Sequence, residues 1–377
     1  MAIEPKLIVD KLLSFGINFF TGVPDSLLKE FCLCVDDENS IENHLITANE
    51  GCAIALATGH FLASHRIPLV YMQNSGIGNA INPLLSLCDR EVYSIPMLIM
   101  IGWRGEPGVK DEPQHVKQGK IQEDLLSTLE IPYEIISKDT VDFSDKISRI
   151  VDLAKSTNRP TALLVKKGTF KKFGKSKNQK ETNDKMKRED ALKVILDAFD
   201  EKTAIVSTTG KTSREIYEIR EKNNQAHYQD FLTVGSMGHC SSIALGIALA
   251  QPKRKVICID GDGSAVMHMG TLTSIANEKP KNLFHIVLNN EAHESVGGQN
   301  TSAKGIKFSK IVDSMNKIKT FTIDNKVLLK KHIDSFILNG GPYFVELEID
   351  VGSRSDLGRP TTAPQDNKKA FMDFLKK

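Results

Sequence analysis

The sequence predicts an α/β protein built as two domains, each a parallel sheet flanked by helices. Three observations carry this expectation. The chain has 377 residues, more than one hydrophobic core usually serves, so about two cores are expected. Short β-branched runs alternate with helical patterns along nearly its whole length, which is the signature of parallel strands joined by crossover helices. The pattern also echoes itself: Ile8, Leu12 and Phe15 share one helical face ahead of "INFFTG", and Leu192, Leu196 and Phe199 repeat that spacing ahead of "AIVSTTG".

Taken in order, the strands of the first half are read in "INFFTG", "PLVYMQNSG", "PMLIMIG" and "TALLVKKG". Those of the second are read in "TAIVSTTG", "KVICIDGDG", "HIVLNN" and "YFVELEID". Most end in Gly, Asn or Asp, which gathers polar groups at the carboxyl ends of the strands, where open α/β sheets bind ligands. Between the halves runs "KKGTFKKFGKSKNQKETNDKMKRED", polar, Lys-rich and almost without apolar periodicity. It reads as a connector. The expected limits are residues 1–170 for the first domain, 171–187 for the linker and 188–377 for the second domain.

Charge and composition exclude several classes. Forty-nine basic residues against 47 acidic ones leave a net charge of +2, with no basic stripe interleaved with aromatics, so no nucleic-acid partner is expected. A small anionic ligand needs only local charge and stays open. The start "MAIEPKLIVDKLL" has an early acid and no basic region leading into a long apolar one, unlike a signal peptide. The apolar stretch "IPMLIMIGW" is far short of the roughly 20 residues that span a bilayer. Six Cys without a CxxC pair or zinc-finger spacing fit reduced thiols in the cytoplasm and no membrane partner.

The most informative segment is "GDGSAVMHMGTLTSIANEKPKNLFHIVLNN", Gly261 to Asn290. It reads as the end of a strand, a tight turn at "GDGS", one amphipathic helix over "AVMHMGTLTSIANE", and the next strand, so both polar ends fall on one edge of the sheet. Gly261 and Gly263 allow a phosphate to approach the backbone. A helix N-terminus favours negative charge, and Asp and Asn oxygens suit a hard cation such as Mg²⁺ that keeps phosphates among its ligands.

"GDGS", a spacer of this length and "NN" resemble the signature of thiamine diphosphate enzymes. The resemblance implies two domains of that family's fold, one binding the pyrimidine and one the diphosphate. It implies Mg²⁺ held by Asp262, Asn290 and the backbone carbonyl of Ala292, with Gly261, Gly263 and Ser264 beside the cofactor. "TANEGCAIALATGHFLA" supplies Glu50 in the place of the family's acid, which shares a proton with the pyrimidine ring and so activates the thiazolium. "YMQNSGIGNAINPL" resembles the loop facing the pyrimidine, bringing Asn74, Ser75 and Gly76. "STTGKTS" resembles the diphosphate loop, with Gly210, Lys211 and Thr212. "VGSMGH" resembles the segment that wedges an apolar side chain, here Met237, under the bent cofactor.

The chain leaves no room for the central domain that most members carry. With "FTGVPDSLL", "GWRGEPGVKDEPQHVKQG" and "GSRSDLGRPT" added, it resembles the branch of decarboxylases acting on phosphonopyruvate nearly end to end. That resemblance implies non-oxidative decarboxylation of a 2-oxo acid, 3-phosphonopyruvate, to phosphonoacetaldehyde and CO₂ in 2-aminoethylphosphonate biosynthesis. It implies at least a homodimer, with each active site between chains. Ser26, Arg104, Arg354, Arg359 and His293 are the expected substrate contacts, Arg because its fork matches a phosphonate. Asp25 and His115 are the expected proton-handling groups. The alternatives are a sulfopyruvate decarboxylase, an acetolactate synthase-like carboligase and an inactive cofactor-binding subunit.

Overall fold

The computed structural model describes residues 2–38, 41, 43–174 and 185–377. The chain divides into two compact units, the first being Met1–Gln179 with Ser295–Ser302, the second Lys180–Glu294 with Ala303–Lys377. The short segment 295–302 thus groups with the first unit, whereas the sequence placed it in the second domain. Most of the expected linker, residues 175–184, lies outside the described residues. Its described ends are not linker-like: Phe173 packs on the core of the first unit and Met186 on that of the second.

The first unit holds six parallel strands, β1 (Phe19–Gly22), β2 (Asn43–Ile46), β3 (Leu69–Gln73), β4 (Leu98–Gly102), β5 (Tyr133–Ile136) and β6 (Thr161–Val165). Their order across the sheet is β2-β1-β3-β4-β6-β5. The second holds β7 (Ala204–Ser207), β8 (Asp230–Leu232), β9 (Val256–Gly261), β10 (Leu283–Asn289), β11 (Lys319–Ile323) and β12 (Tyr343–Glu348), in the order β11-β12-β10-β9-β7-β8. Read from the β8 edge, this is the order of the first sheet strand for strand. The echo in the sequence is a repeated topology.

Both faces of each sheet are covered. Leu69 and Tyr71 of β3 enter one apolar cluster and Val70 and Met72 the other. Ile257 and Ile259 of β9 face away from Val256 and Cys258 in the same way. Burial on both faces is why these strands are continuous apolar runs. Ile8 and Leu12 of the helix Pro5–Ser14, and Leu192 and Leu196 of the helix Arg188–Ala198, sit in equivalent core positions.

The "GDGS" segment differs from expectation. Helix Asp262–Met267 begins directly after β9, the helical conformation is interrupted at His268–Gly270, and a second helix runs Thr271–Glu278. There is no tight turn, because Gly261 is extended at φ −112° and neither it nor Gly263 has the positive φ that a glycine turn requires. Among the described residues no helix is long and apolar enough to cross a membrane.

Candidate active site

In the first unit the expected site residues gather at the polar ends of β1, β3 and β4. Glu50 opens the helix Glu50–Ser64, which is capped by Asn49 accepting the Cys52 N–H at 3.0 Å. The Glu50 side chain is buried, and its Oε2 accepts a 2.8 Å hydrogen bond from Asn79 Nδ2. Gly76 packs directly against it. Burial raises the Glu50 pKa, with the Asn79 bond opposing. A carboxyl so placed holds a proton more readily than an exposed one, which suits sharing it with a ring nitrogen.

Asp25 is fully buried just beyond β1. Its Oδ1 accepts from Gln73 Nε2 at 2.6 Å and its Oδ2 from the Leu27 N–H at 2.8 Å. Gln73 in turn accepts from Ser75 Oγ at 2.6 Å. Gly102 ends β4 against this carboxylate, and a Cβ there would stand 2.3 Å from Oδ2. Burial raises the Asp25 pKa, against the Gln73 and Leu27 donors.

Arg104 follows β4 and is held on three sides. Its Nε donates to Asp111 Oδ2 at 2.7 Å, a terminal nitrogen donates to Asp111 Oδ1, and the other donates to Ser26 Oγ at 2.9 Å. Asn74 fixes its backbone, donating to the Arg104 carbonyl at 2.8 Å and accepting its N–H at 3.2 Å. Desolvation of the Asp111 carboxyl raises its pKa, but the Arg104 guanidinium together with the Gly105 N–H holds it below the usual carboxylate range. His115, in the helix Pro113–Lys120, is buried with no partner for Nδ1. Burial, and then Arg104, push its pKa down to about 4. It is therefore neutral near pH 7.

In the second unit Ser264 draws three loops together. Its Oγ accepts from Thr208 Oγ1 at 2.9 Å and from the Gly238 N–H at 3.0 Å, so the segments after β7, β8 and β9 converge on one hydroxyl. Thr209 Oγ1 adds a bond from the Gly235 N–H at 3.0 Å, and half-buried Met237 lies between these ties. Gly210, at φ +95°, caps the 12-residue helix Lys211–Lys222, whose first N–H groups belong to Lys211 and Thr212. Such an N-terminus fits a diphosphate. Lys211 Nζ lies 3.8 Å from Glu294 Oε2, and desolvation lowers its pKa.

Asp262 and Asn290 follow the adjacent strands β9 and β10, paired through Gly261 and Leu288, and both are buried. The two asparagines at the end of β10 are used differently. Asn289 donates to buried Glu346 at 2.8 Å and accepts the Glu291 N–H at 3.2 Å, so it is committed to the fold. Asn290 Oδ1 accepts the Ala292 N–H at 3.0 Å, and Glu291 turns the chain there with a left-handed φ of 56°. A carboxylate, an amide oxygen and the Ala292 carbonyl form an all-oxygen donor set that fits Mg²⁺.

Other expected contacts fall elsewhere. Arg354 donates to Glu189 Oε2 at 2.8 Å, to Asp356 at 2.9 and 3.0 Å, and to Glu218, an arrangement that ties the C-terminal segment to two helices of its own unit. Arg359 is exposed. His293 is half-buried, and desolvation pushes its pKa down to about 4. Gln73, Asn79 and Asp111 are site residues that sequence reasoning passed over, although all three lie inside the quoted loops. Their signal was a polar residue at a strand end (Gln73), in a helix (Asn79) or in a loop (Asp111), near a named acid or arginine.

Residues 5–128 match the N-terminal, and residues 208–347 the C-terminal, thiamine pyrophosphate-binding domain of thiamine pyrophosphate enzymes. A phosphonopyruvate decarboxylase of Streptomyces viridochromogenes is 30% identical over 382 residues, covering 98% of this chain and 94% of its own. That of Streptomyces hygroscopicus is 30% identical over 381 residues, covering 96% and 92%. A sulfopyruvate decarboxylase of Methanosarcina acetivorans is 29% identical over 329 residues, covering 78% of each chain. The chain belongs to the phosphonopyruvate decarboxylase family of thiamine diphosphate-dependent enzymes and is a 2-oxo acid decarboxylase.

Proposed function

We propose that the enzyme converts 3-phosphonopyruvate to phosphonoacetaldehyde and CO₂ with thiamine diphosphate and Mg²⁺, as a step of 2-aminoethylphosphonate biosynthesis. The observation that carries this reading is the end-to-end match to two phosphonopyruvate decarboxylases, against a shorter match to a sulfopyruvate decarboxylase. The bound cofactor supplies the electron sink for the pair released with CO₂. The first unit is assigned the pyrimidine, with Glu50 holding the activating proton. The second is assigned the diphosphate, at Gly210, Lys211 and Thr212, and the metal, at Asp262, Asn290 and Ala292.

Arg104 and Ser26 are assigned the substrate phosphonate. A guanidinium already fixed by Asp111 loses little freedom on gripping a second oxyanion. Asp25, whose pKa burial raises, is assigned delivery of the proton that completes the aldehyde. The triple carboxylate hold on Arg354 supports a structural role for that residue. Six free cysteines support a reducing, cytoplasmic setting. The active form is proposed to be at least a homodimer, as the family resemblance implies.

Phosphorus NMR of a reaction with phosphonopyruvate tests the reading. The substrate resonance should be replaced by that of an aldehyde-bearing phosphonate, trapped on adding a hydrazine. An unchanged spectrum beside active conversion of sulfopyruvate would support the sulfonate reading instead, and release of inorganic phosphate would mean cleavage of the C–P bond and contradict decarboxylation.

A further inference from the structure

The second unit contains a buried cluster that the decarboxylase reading does not use. Cys240 opens the helix Cys240–Ala250, Cys258 and Asp260 stand two apart on β9 and so share a face, and His285 of β10 lies in register with Cys258. Their exposures are 2%, 0%, 0% and 2%. The thiols are 3.7 Å apart, and both sulfurs and a carboxylate oxygen of Asp260 lie within 4.8 Å of one another. Asp260 Oδ1 accepts the Gly261 N–H at 2.9 Å, but Oδ2 has no hydrogen-bond partner. Neither ring nitrogen of His285 has one, although Nε2 is only 3.6 Å from that Oδ2. Buried carboxylate and imidazole atoms without a hydrogen bond are costly, and two such groups beside a pair of thiols leave room for a ligand that would satisfy them.

We propose that Cys240, Cys258 and Asp260 bind a thiophilic divalent cation of the Zn²⁺ class, with His285 as the outer partner of the Asp260 carboxylate. Thiolates select such an ion over Mg²⁺. Zinc–sulfur bonds of about 2.3 Å at a tetrahedral angle put two sulfurs about 3.8 Å apart, close to the separation found. Charge also balances, since two thiolates and a carboxylate are offset by a divalent ion and an imidazolium. A ligating carboxylate is ordinarily oriented by a further hydrogen-bonding group, the place His285 takes. No local motif announces the set, because its members come from one helix and one strand and meet only through the packing of that helix on the sheet. The ion would pin the start of the helix Cys240–Ala250, and with it the loop carrying Met237, to the strand that delivers Asp262.

The test uses the full chain produced in zinc-supplemented medium, dialysed against EDTA and analysed by inductively coupled plasma mass spectrometry. The wild type and Asp262→Asn should each retain about one zinc per chain, and Cys240→Ala and Cys258→Ala should fall at least about tenfold. Protein from cells grown with Cd²⁺ should show a thiolate-to-cadmium charge-transfer band in the ultraviolet, a readout that requires no variant to fold and is independent of decarboxylase activity. Background zinc in the wild type together with no cadmium band overturns the site. So does full zinc retention in both cysteine variants, or loss of zinc in Asp262→Asn alone.

Discussion

Gly76 lies so close to Glu50 that a Cβ on it would stand 2.5 Å from the carboxylate Oε1 and 2.6 Å from Cδ and Cγ. The glycine is there for room, since its φ is an ordinary −70°. Gly76→Ala must therefore displace the Glu50 side chain while leaving the backbone unstrained. It should lower kcat by about 10²-fold or more, as Glu50→Gln should, because both remove a positioned proton-sharing group. Both variants should still bind thiamine diphosphate. Hydrogen–deuterium exchange at C2 of the bound cofactor checks this, and wild-type exchange in either variant would contradict the role of Glu50.

The neighbouring asparagines should separate cleanly. Asn290→Ala and Asp262→Ala should weaken Mg²⁺-dependent cofactor binding by removing hard oxygen donors. Asn289→Ala should instead lower stability by about 1–3 kcal/mol, because it leaves buried Glu346 short of a donor. Cofactor titration followed by circular dichroism, beside chemical denaturation of each variant, gives the comparison. A stable Asn289→Ala with weak metal binding would reverse the assignment within the pair.

Arg104 and Arg354 should also differ. Arg104→Ala should depress kcat/KM for phosphonopyruvate far more than for pyruvate, because only the former carries the anion it grips. Arg354→Ala should leave both constants within about twofold, since exposed ion pairs contribute little and the residue is committed to Glu189, Glu218 and Asp356. Equal losses for both substrates in Arg104→Ala would mark it as structural.

His115 and His293 should cost stability on mild acidification. In the fold His115 and His293 take up a proton only near pH 4, whereas in the unfolded chain they do so near about 6.5. Between these values the unfolded state binds more protons at these two histidines, so their contribution to stability declines as pH drops from about 6.5 to about 4. Melting temperatures across that range should fall less steeply for His115→Gln than for wild type. Identical slopes would show that His115 is protonated in the fold.

The sequence made the interior of both sheets legible and left their margins obscure. Its eight expected strands are the eight inner ones, β1, β3, β4 and β6 in the first unit and β7, β9, β10 and β12 in the second. The four it passed over, β2, β5, β8 and β11, are the edges of the two sheets. Edge strands are covered on fewer sides, so β2 alternates exposed and half-buried residues and β11 is mostly polar. Such segments have no continuous apolar run to announce them. Glu50 and Asp262 were legible because their setting is local. Gln73, which meets Asp25 across 48 residues of sequence, became visible only when parallel pairing brought the ends of β1 and β3 side by side.

The central claim is that a distal phosphonate selects the substrate. The most direct measurement is the pair of kcat/KM values for CO₂ release from phosphonopyruvate and pyruvate by the wild-type enzyme with thiamine diphosphate and Mg²⁺, with sulfopyruvate run alongside. A site whose fixed cation is left without its anion rejects the truncated substrate by about 10⁴-fold or more, so phosphonopyruvate should be preferred over pyruvate on that scale and over sulfopyruvate as well. Equal constants for phosphonopyruvate and pyruvate, or a preference for sulfopyruvate, would contradict the account.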